Sequence, residues 1–212
     1  MTAPQRTILE KLSRSGLGEF FYLTGGTALS LRYQHRLSED LDFFTFPTFA
    51  EEKFPLEKTI SALEKIGGEI TGIEKGTVWG LVGNIKLSFF SYPYPLLKPA
   101  LKICGFPTAS DQDIAASKLV SIAQRGEKKD FFDLWFLCQK RGWDLPVLLE
   151  FFRQKYGLSP EQKNFFLRSL VYFEDAEPQT VFLEEGQALE ERKWEEIKKF
   201  FQKLVKKFCE SP

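Results

Sequence analysis

Two short groups of residues near the N-terminus have the chemistry of a phosphate and metal site. The first is Gly25-Gly26-Thr27, and the second is the pair Asp40 and Asp42. A glycine pair lets the backbone approach an anion closely, and a helix opened by Thr27 directs free N–H groups and a partial positive charge at that anion. Two carboxylates at strand spacing point to one face and suit a hard cation, Mg²⁺ or Mn²⁺. This layout suits a nucleotide phosphate and its metal.

The apolar pattern predicts the elements that position these groups. A helix is predicted over residues 5–16, and the aromatic run at residues 20–23 is typical of a buried strand that ends at the glycines. A short helix is predicted over residues 27–34, and residues 41–46 continue as a strand that carries the two aspartates. The predicted order is therefore strand, turn, helix and strand.

The sheet is predicted to continue between residues 51 and 95. Residues 51–67 have the spacing of an amphipathic helix that ends at a glycine pair. Two apolar runs, residues 77–82 and 85–92, are joined at Gly83-Asn84, which is a signal for a hairpin. A Tyr-Pro-Tyr-Pro segment follows at residues 92–95, and because proline lacks the N–H that a central strand needs, we expect the sheet to end there.

The rest of the chain has mainly helical signals. Helices are predicted over residues 111–125, 128–141 and 146–156, and a capping serine followed by proline at residues 159–162 is typical of a fourth helix start. The last predicted helix, residues 187–209, has an apolar stripe at three- and four-residue spacing with lysines around it. The stripe comprises Trp194, Ile197, Phe201, Leu204 and Phe208.

The composition excludes several classes of protein. The chain has 212 residues, 43% of them hydrophobic, which is enough for the core of one large domain or two small ones. Its 29 basic residues balance 29 acidic ones, so a polyanion would have to bind a local patch. Three widely separated cysteines favour reduced thiols over a zinc site. Since no signal peptide and no apolar run of about 20 residues is visible, we expect a cytoplasmic protein without a membrane span.

The two groups of residues resemble the first motif of the DNA polymerase β-like nucleotidyltransferases. More narrowly, the chain resembles the AbiEii/AbiGii toxin family of bacterial and archaeal type IV toxin–antitoxin systems, which shares the run 23–29, the pair His35-Arg36 and the run 38–44. A second block within residues 113–134 resembles the helical motif that this family places after its sheet. Two blocks in the expected order are far more specific than a lone Asp-x-Asp, and together they cover about residues 20–140.

The resemblance implies a fold and an activity. Residues 1–105 are expected to form an α+β (α/β) nucleotidyltransferase catalytic domain with a mixed sheet flanked by helices. Residues 106–212 are expected to form a helical domain that closes the nucleotide cleft. The implied reaction is Mg²⁺-dependent transfer of a nucleoside monophosphate from an NTP to an acceptor, such as tRNA or another RNA, with release of pyrophosphate. The implied partner is a cognate antitoxin of the same prokaryote.

The resemblance also implies roles for individual residues. Asp40, Asp42, Lys118 and Asp130 are the expected catalytic residues, and the first two bind the metal. The expected nucleotide-binding residues are Gly25, Gly26, Thr27, Lys118 and Arg125. Lys118 and Arg125 are seven residues apart on one helix, so they share a face, and Asp130 completes or orients their cluster.

Three further groups have alternative interpretations. Asp133 is either a supporting partner of Asp130 or a residue that favours a helix dipole, and His35 is expected to cap a helix or contact backbone rather than act as a general base. The lysines of the last helix are candidates for binding RNA or an antitoxin, although a packed stripe with a solvated face is the commoner explanation.

One departure from the superfamily pattern leaves the activity open. Many relatives supply a third carboxylate from the hairpin strand, but residues 85–91 contain none, and Ser88 is the predicted equivalent position. The first alternative to an active enzyme is therefore a nucleotide-binding interaction module that is catalytically weak or inactive. A nucleotidyltransferase with a small-molecule acceptor is the second alternative.

Overall fold

The computed structural model describes residues 2–184 and 186–210, which form two compact units. Unit 1 comprises Met1–Gln34 and Ser38–Ser110, and unit 2 comprises His35–Leu37 and Asp111–Pro212. The short segment His35–Leu37 therefore belongs to unit 2, although both of its neighbours in the sequence belong to unit 1.

Unit 1 is an α+β structure built on one mixed sheet. Its strands are β1 (Phe21–Thr24), β2 (Leu41–Thr45), β3 (Glu69–Glu74), β4 (Thr77–Val82), β5 (Ile85–Phe90), β6 (Leu101–Ile103) and β7 (Phe106–Thr108). They lie in the order β3-β4-β5-β2-β1-β7-β6. The central strand β2 is antiparallel to β1 and parallel to β5, and β1 is also parallel to β7. The helices are α1 (Ala3–Arg14), α2 (Gly25–Tyr33) and α3 (Leu56–Lys65).

The alternation of residues along β2 orients the strand within the sheet. Leu41 and Phe43 are fully buried, whereas Asp42 and Phe44 on the other face are half-buried. The ring of Phe43 stacks on Phe89 of β5, with ring centroids 4.6 Å apart. Because large apolar side chains bury one face of β2, the position and direction of Asp42 on the other face are well defined.

Unit 2 is mainly helical. Its helices are α4 (Asp111–Arg125), α5 (Lys128–Arg141), α6 (Leu145–Tyr156), α7 (Pro160–Ser169) and α8 (Glu191–Glu210), and a short hairpin joins β8 (Phe182–Glu184) to β9 (Gln187–Ala188). The capping box predicted before α7 is confirmed. In α8 the predicted stripe is buried at Trp194, Ile197 and Phe201. None of the helices in the described ranges has the length and apolar character needed to cross a membrane.

Two predicted helices begin too early. The helix predicted from residue 51 begins at Leu56, and Glu51–Lys53 forms a short 3₁₀ turn instead. Pro55 disfavours a helical conformation at the residue before it, so the two segments do not merge. The helix predicted from residue 187 begins at Glu191, because residues 187–188 pair with β8.

The prediction that the sheet ends near residues 92–95 is wrong. The chain returns as the β6–β7 hairpin, and Leu23 of β1 pairs with Thr108 of β7. Three-residue strands are too short to show a periodic pattern, so their pairing with distant residues defines them. β7 also lies beyond residue 105, the boundary expected from the sequence. The fold class itself, a mixed sheet with flanking helices, is confirmed.

Candidate active site

The glycines of the predicted phosphate turn form the start of α2, and Gly25 lies against Asp42. α2 begins at Gly25, two residues earlier than predicted, directly after Thr24 at the end of β1. Gly25 has a φ of 73°, and a Cβ atom at this position would lie 3.4 Å from Oδ2 of Asp42. A side chain there would be both strained and close to the carboxylate, which explains the glycine. The N-terminal N–H groups of α2 are therefore next to a carboxylate.

Asp42 lies in the middle of a row of residues that crosses the sheet. Its register partners are Thr24 on β1 and Ser88 on β5. Paired residues on neighbouring strands point to the same face, and the strands are about 4.8 Å apart. Ser88 therefore occupies the position beside Asp42 from which a third carboxylate would reach the site.

Asp40 is placed differently from the expected strand position. It is exposed and precedes β2, which begins at Leu41. The hydroxyl of the buried Thr27 donates a hydrogen bond to the backbone carbonyl of Asp40, and it lies 2.6 Å from the Ser38 hydroxyl. Thr27 thus holds the segment that carries Asp40, while the phosphate contact expected of its hydroxyl stays a prediction.

Gln5 of α1, which the sequence analysis missed, holds the same segment. Its Nε2 donates hydrogen bonds to the backbone carbonyls of Ser38 at 2.6 Å and Glu39 at 3.1 Å. Gln5 is buried on the apolar face of α1, three residues before Ile8. A polar residue at a buried helical position was the one sequence signal that could have identified it, because buried amides need hydrogen-bond partners.

The two aspartates form a donor set that suits a hard divalent cation. Mg²⁺ in proteins is commonly held by one or two carboxylates together with water and substrate phosphates. Among the described residues there is no group of three or more His, Cys, Asp or Glu side chains arranged to hold a metal ion. The cation that the sequence predicts at Asp40 and Asp42 therefore stays a prediction.

Unit 2 contains a buried cluster of ionisable side chains, which we call the charge network. Its centre is Lys118 on α4, whose Nζ lies 2.7 Å from Oδ1 of Asp130 and 2.6 Å from Oδ2 of Asp133, both on α5. Lys118 is 4% exposed and both aspartates are fully buried. Buried charges at this depth require close partners of opposite charge. The members of the network are His35, Arg36, Lys118, Arg125, Asp130 and Asp133.

The segment His35–Leu37 supplies two members that the sequence analysis did not assign to the cluster. Arg36 donates two parallel hydrogen bonds to Asp133, from Nε at 2.6 Å and from Nη2 at 2.8 Å. Nε2 of His35 lies 2.7 Å from Oδ1 of the same carboxylate. The expectation that His35 caps a helix or contacts backbone is therefore wrong, and Asp133 is the anchor of this segment.

The pKa values of the network reflect burial opposed by neighbouring charges. Burial raises the pKa of Asp133, but Arg36 and Lys118 outweigh it and hold that pKa well below its usual range. Burial also raises the pKa of Asp130, and the nearby cations, Lys118 first, bring it below its usual value. Burial lowers the pKa of Lys118, but the two aspartates raise it further. Lys118 is therefore a permanent cation and unsuited to act as a general base.

His35 differs from the other members because burial dominates. Burial lowers its pKa more than contact with Asp133 raises it, so the ring is neutral at neutral pH. Its Nε2 faces an ionised carboxylate, which assigns the proton to that nitrogen. Phe132 and Phe136 cover the ring, with centroids at 5.8 and 4.7 Å. His35 is thus a neutral donor that helps to fix Asp133.

Arg125 brings the network to the surface. Its side chain is half exposed, and it is held by hydrogen bonds to Asp130 from Nε at 2.9 Å and from Nη2 at 3.2 Å. With His35 neutral, three cations face Asp130, Asp133 and also Glu127, whose Oε2 lies 3.4 Å from Nε of Arg125, so these charges balance. The exposed guanidinium of Arg125 is where a phosphate would contact the network. The structure thus joins the predicted Lys118, Arg125 and Asp130 in one cluster.

The geometry therefore divides the predicted residues between two clusters. In unit 1, the start of α2 and Asp42 are in contact, and Asp40 lies in a segment held by Thr27 and Gln5. In unit 2, two buried aspartates hold a buried lysine and a half-exposed arginine. The first cluster has the residue types that suit phosphates and cations, and the second holds a half-exposed arginine at the surface.

Comparison with known proteins finds a family match and a relative that cover nearly the whole chain. The sequence model of the family described as "Nucleotidyl transferase AbiEii toxin, Type IV TA system" matches residues 7–78 and 81–209. An uncharacterized protein of Aquifex aeolicus (strain VF5) is 44% identical over 209 residues, which cover 98% of this chain and 97% of that protein.

Solved structures with this fold include a toxin and a resistance factor. MenT4, a nucleotidyltransferase toxin from Mycobacterium tuberculosis H37Rv, has a TM-score of 0.61 at 18% identity and covers 96% of this chain and 82% of its own. JHP933 from Helicobacter pylori has a TM-score of 0.52 at 21% identity over 99% and 95% of the two chains. The antibiotic-resistance factor ANT(2'')-Ia has a TM-score of 0.53 at 14% identity over 78% and 99%.

Identities this low show the fold alone, and that fold is shared with a solved nucleotidyltransferase, as expected from the sequence. The family match carries the assignment, because it extends over both units. The protein belongs to the AbiEii family of nucleotidyltransferase toxins from type IV toxin–antitoxin systems.

Proposed function

We propose that this protein transfers a nucleoside monophosphate from an NTP to an RNA acceptor, such as tRNA, in a reaction that requires Mg²⁺ or Mn²⁺. The observation that carries the proposal is the contact between the start of α2 and Asp42, where a side chain on Gly25 would lie 3.4 Å from the carboxylate. Phosphate-binding N–H groups and a cation-binding carboxylate are then adjacent, as the phosphates of an NTP with its metal require.

Different residues of unit 1 bind the phosphates and the cation. The amide groups of Gly25 and Gly26 bind the β- and γ-phosphates at the positive end of α2. Asp42 and Asp40 hold the cation, which supplies charge neutralisation at the phosphates and a lowered pKa for the attacking acceptor hydroxyl. Thr27 fixes the backbone at Asp40, so that a carboxylate on an exposed segment keeps a defined position.

The charge network contributes a positioned cation. Arg125 contacts the nucleotide phosphates, and Asp130 holds its guanidinium in place through two hydrogen bonds. Lys118 is too buried to reach a nucleotide without displacing its partners, so it acts by fixing Asp130 and Asp133. Lys118 and Asp130 thus act as residues that position Arg125.

The biological setting follows from the family. We propose that the activity is toxic to the producing cell and that a cognate antitoxin restrains it. The cytoplasm is the proposed location, since it supplies NTPs and RNA, and the three cysteines of the protein are free thiols there.

A label-transfer assay tests the activity. Purified protein is incubated with Mg²⁺, total RNA and each α-labelled NTP in turn, and label in RNA is measured. We expect transfer with at least one NTP and its loss in Asp42→Ala. Circular dichroism checks that this variant is folded, as its half-buried position leads us to expect. Absence of transfer, or equal transfer by the variant, contradicts the proposal.

The position of Ser88 favours one alternative, a nucleotide-binding interaction module of low activity. A superfamily enzyme with a third carboxylate would carry it beside Asp42, where this chain has a serine. Calorimetry separates the two functions, because metal-dependent NTP binding without pyrophosphate release indicates the module. Pyrophosphate release that depends on an acceptor rules it out, and release with a small molecule in place of RNA identifies a small-molecule enzyme.

A growth assay tests toxicity separately. Expression of the wild-type protein is expected to arrest growth, and Asp40→Ala is expected to relieve the arrest. Equal arrest by this variant would show that toxicity does not depend on the proposed metal site.

A further inference from the structure

A groove on unit 2 has features that nucleotide transfer at Asp42 does not explain. It lies between the C-terminal end of α4, α7 and the segment after α7, and its volume is about 550 Å³. Phe165, Val171 and Tyr172 form its apolar walls, and Arg125, Arg168 and Asp175 are its charged residues. Ligand-binding grooves commonly have this size.

The apolar side chains of the groove are unusually exposed. Phe165 is 55% exposed, Tyr172 47% and Val171 38%. Among the described residues only nine large apolar side chains are this exposed, and three of them line this one groove. Exposed apolar residues scattered singly need no explanation, whereas a cluster of them marks a binding surface.

Charged groups accompany these aromatic rings. Arg168 forms no ion pair or side-chain hydrogen bond with the described parts of the chain, and it is exposed. Arg125 is half exposed and is held by Asp130 and Glu127. Asp175 is the carboxylate of the lining. Planar rings beside guanidinium groups match a base and its phosphate, and a carboxylate can accept a hydrogen bond from a ribose hydroxyl.

We propose that this groove binds the unpaired terminal nucleotides of a single-stranded RNA end. Bases stack on Tyr172 and Phe165, while Arg168 contacts the backbone phosphate between them. The inference rests on the proposed function, since it specifies the class of acceptor. Single-stranded RNA is favoured over a duplex because the bases of a duplex are stacked on each other and their faces are not available to side chains.

The groove also shares a residue with the charge network of unit 2. Arg125 lines the groove and is at the same time held by Asp130 in the charge network. An RNA end that occupies the groove therefore lies beside the guanidinium that we propose for contact with the nucleotide phosphates.

Direct binding of a short RNA tests the inference without turnover. The probe is a fluorescent eight-nucleotide single-stranded RNA, and its affinity for the full-length protein is measured by anisotropy without NTP at several salt concentrations. Tyr172→Ala is expected to weaken binding at least about fivefold, because loss of base stacking has this effect or more. Tyr172→Phe keeps the ring and is expected to bind as the wild type does.

The proposed phosphate contact of Arg168 is tested by the salt dependence of RNA binding. Arg168→Ala is expected to reduce the slope of log K against log salt by about 0.7, the value for one phosphate contact to a single strand. Tyr94→Ala in unit 1 and Arg192→Ala at the start of α8 remove an equally exposed ring and an exposed charge elsewhere, and binding should not change. Thermal melting confirms that all variants fold.

Several outcomes overturn the inference. These are no binding of the single strand, unchanged binding by Tyr172→Ala and Arg168→Ala, or tighter binding of a blunt RNA duplex. Weaker binding of ATP alone by Tyr172→Ala would instead make the groove a site for the base of the NTP. The label-transfer assay distinguishes the two proposals. RNA binding in the groove without label transfer contradicts the proposed function. Label transfer by a protein whose groove does not bind RNA contradicts only this inference.

Discussion

Ser88 offers the sharpest test of the proposed metal site. Replacement by aspartate places a second carboxylate beside Asp42 on the neighbouring parallel strand, because the two positions are register partners. Neighbouring strands are about 4.8 Å apart. The new carboxylate would therefore lie about 5 Å from a cation held by Asp42, close enough to bind it through a water molecule.

The size of the effect follows from Coulomb's law. A unit charge about 5 Å from a divalent cation contributes about 1.7 kcal/mol of attraction in water. Screening at 0.1 M salt, with a Debye length of about 10 Å, reduces this to about 1 kcal/mol. Mg²⁺ should therefore bind about fivefold more tightly to Ser88→Asp. Since Asp42 is half-buried, the effective dielectric constant is lower than that of water, and fivefold is the lower limit.

Calorimetric titration with Mg²⁺ measures the change, and Ser88→Asn is the matched neutral control. Thermal melting supplies a second readout. In EDTA the two adjacent carboxylates repel each other, so Ser88→Asp should melt below Ser88→Asn, and Mg²⁺ should reverse that order. The reasoning is refuted if the aspartate variant binds Mg²⁺ no more tightly than the asparagine variant.

Three further predictions concern stability and the site. Asp133→Asn should cost about 3–5 kcal/mol in urea unfolding, because buried Arg36 loses its carboxylate and buried Lys118 keeps only Asp130. Glu150→Gln, in an exposed pair with Arg153, should change nothing measurable. Burial lowers the pKa of His35, the only histidine, so below a pH of about 6.5 the unfolded chain binds more protons than the folded one. The free energy of unfolding should therefore fall as the pH drops below that value. Urea unfolding at pH 5 and pH 7 should show a smaller fall for His35→Gln. Gly25→Ala should lower the free energy of unfolding by about 1–2 kcal/mol, because alanine is strained at the positive φ of this position. The added methyl group should also contact Asp42 and weaken Mg²⁺-dependent NTP binding. Unchanged NTP binding by calorimetry would contradict the short distance between position 25 and the Asp42 carboxylate.

Local patterns in the sequence were sufficient for much of the fold. The bounds predicted for α4, α5 and β4 agree with the structure, because long amphipathic segments and turn signals act over a few residues. The strands β3, β6 and β7 were not predicted. β3 is largely exposed and the other two have three residues each, so none has a run of alternating apolar residues long enough to predict a strand. All three form through pairing with other strands.

The candidate site was predicted unevenly for the same reason. Gly25 and Asp42 were identified correctly as neighbours, because one short strand–helix–strand unit contains both. Gln5 and Arg36 were missed as supporting residues. Their partners lie 33 and 97 positions away in the sequence. A local pattern can indicate that Gln5 is buried, but it cannot indicate which residues Gln5 and Arg36 contact.

By itself the sequence determined the residue types of the site: a helix that starts with two glycines, a strand with an aspartate among buried aromatic residues, and a hairpin strand without a carboxylate. Only the tertiary structure decided which charges meet. It buried Lys118 with Asp130 and Asp133, anchored Arg36 to the second aspartate, and left Arg125 exposed. The physical reason is desolvation, since a charge loses its water only when folding brings an opposite charge to it from elsewhere in the chain.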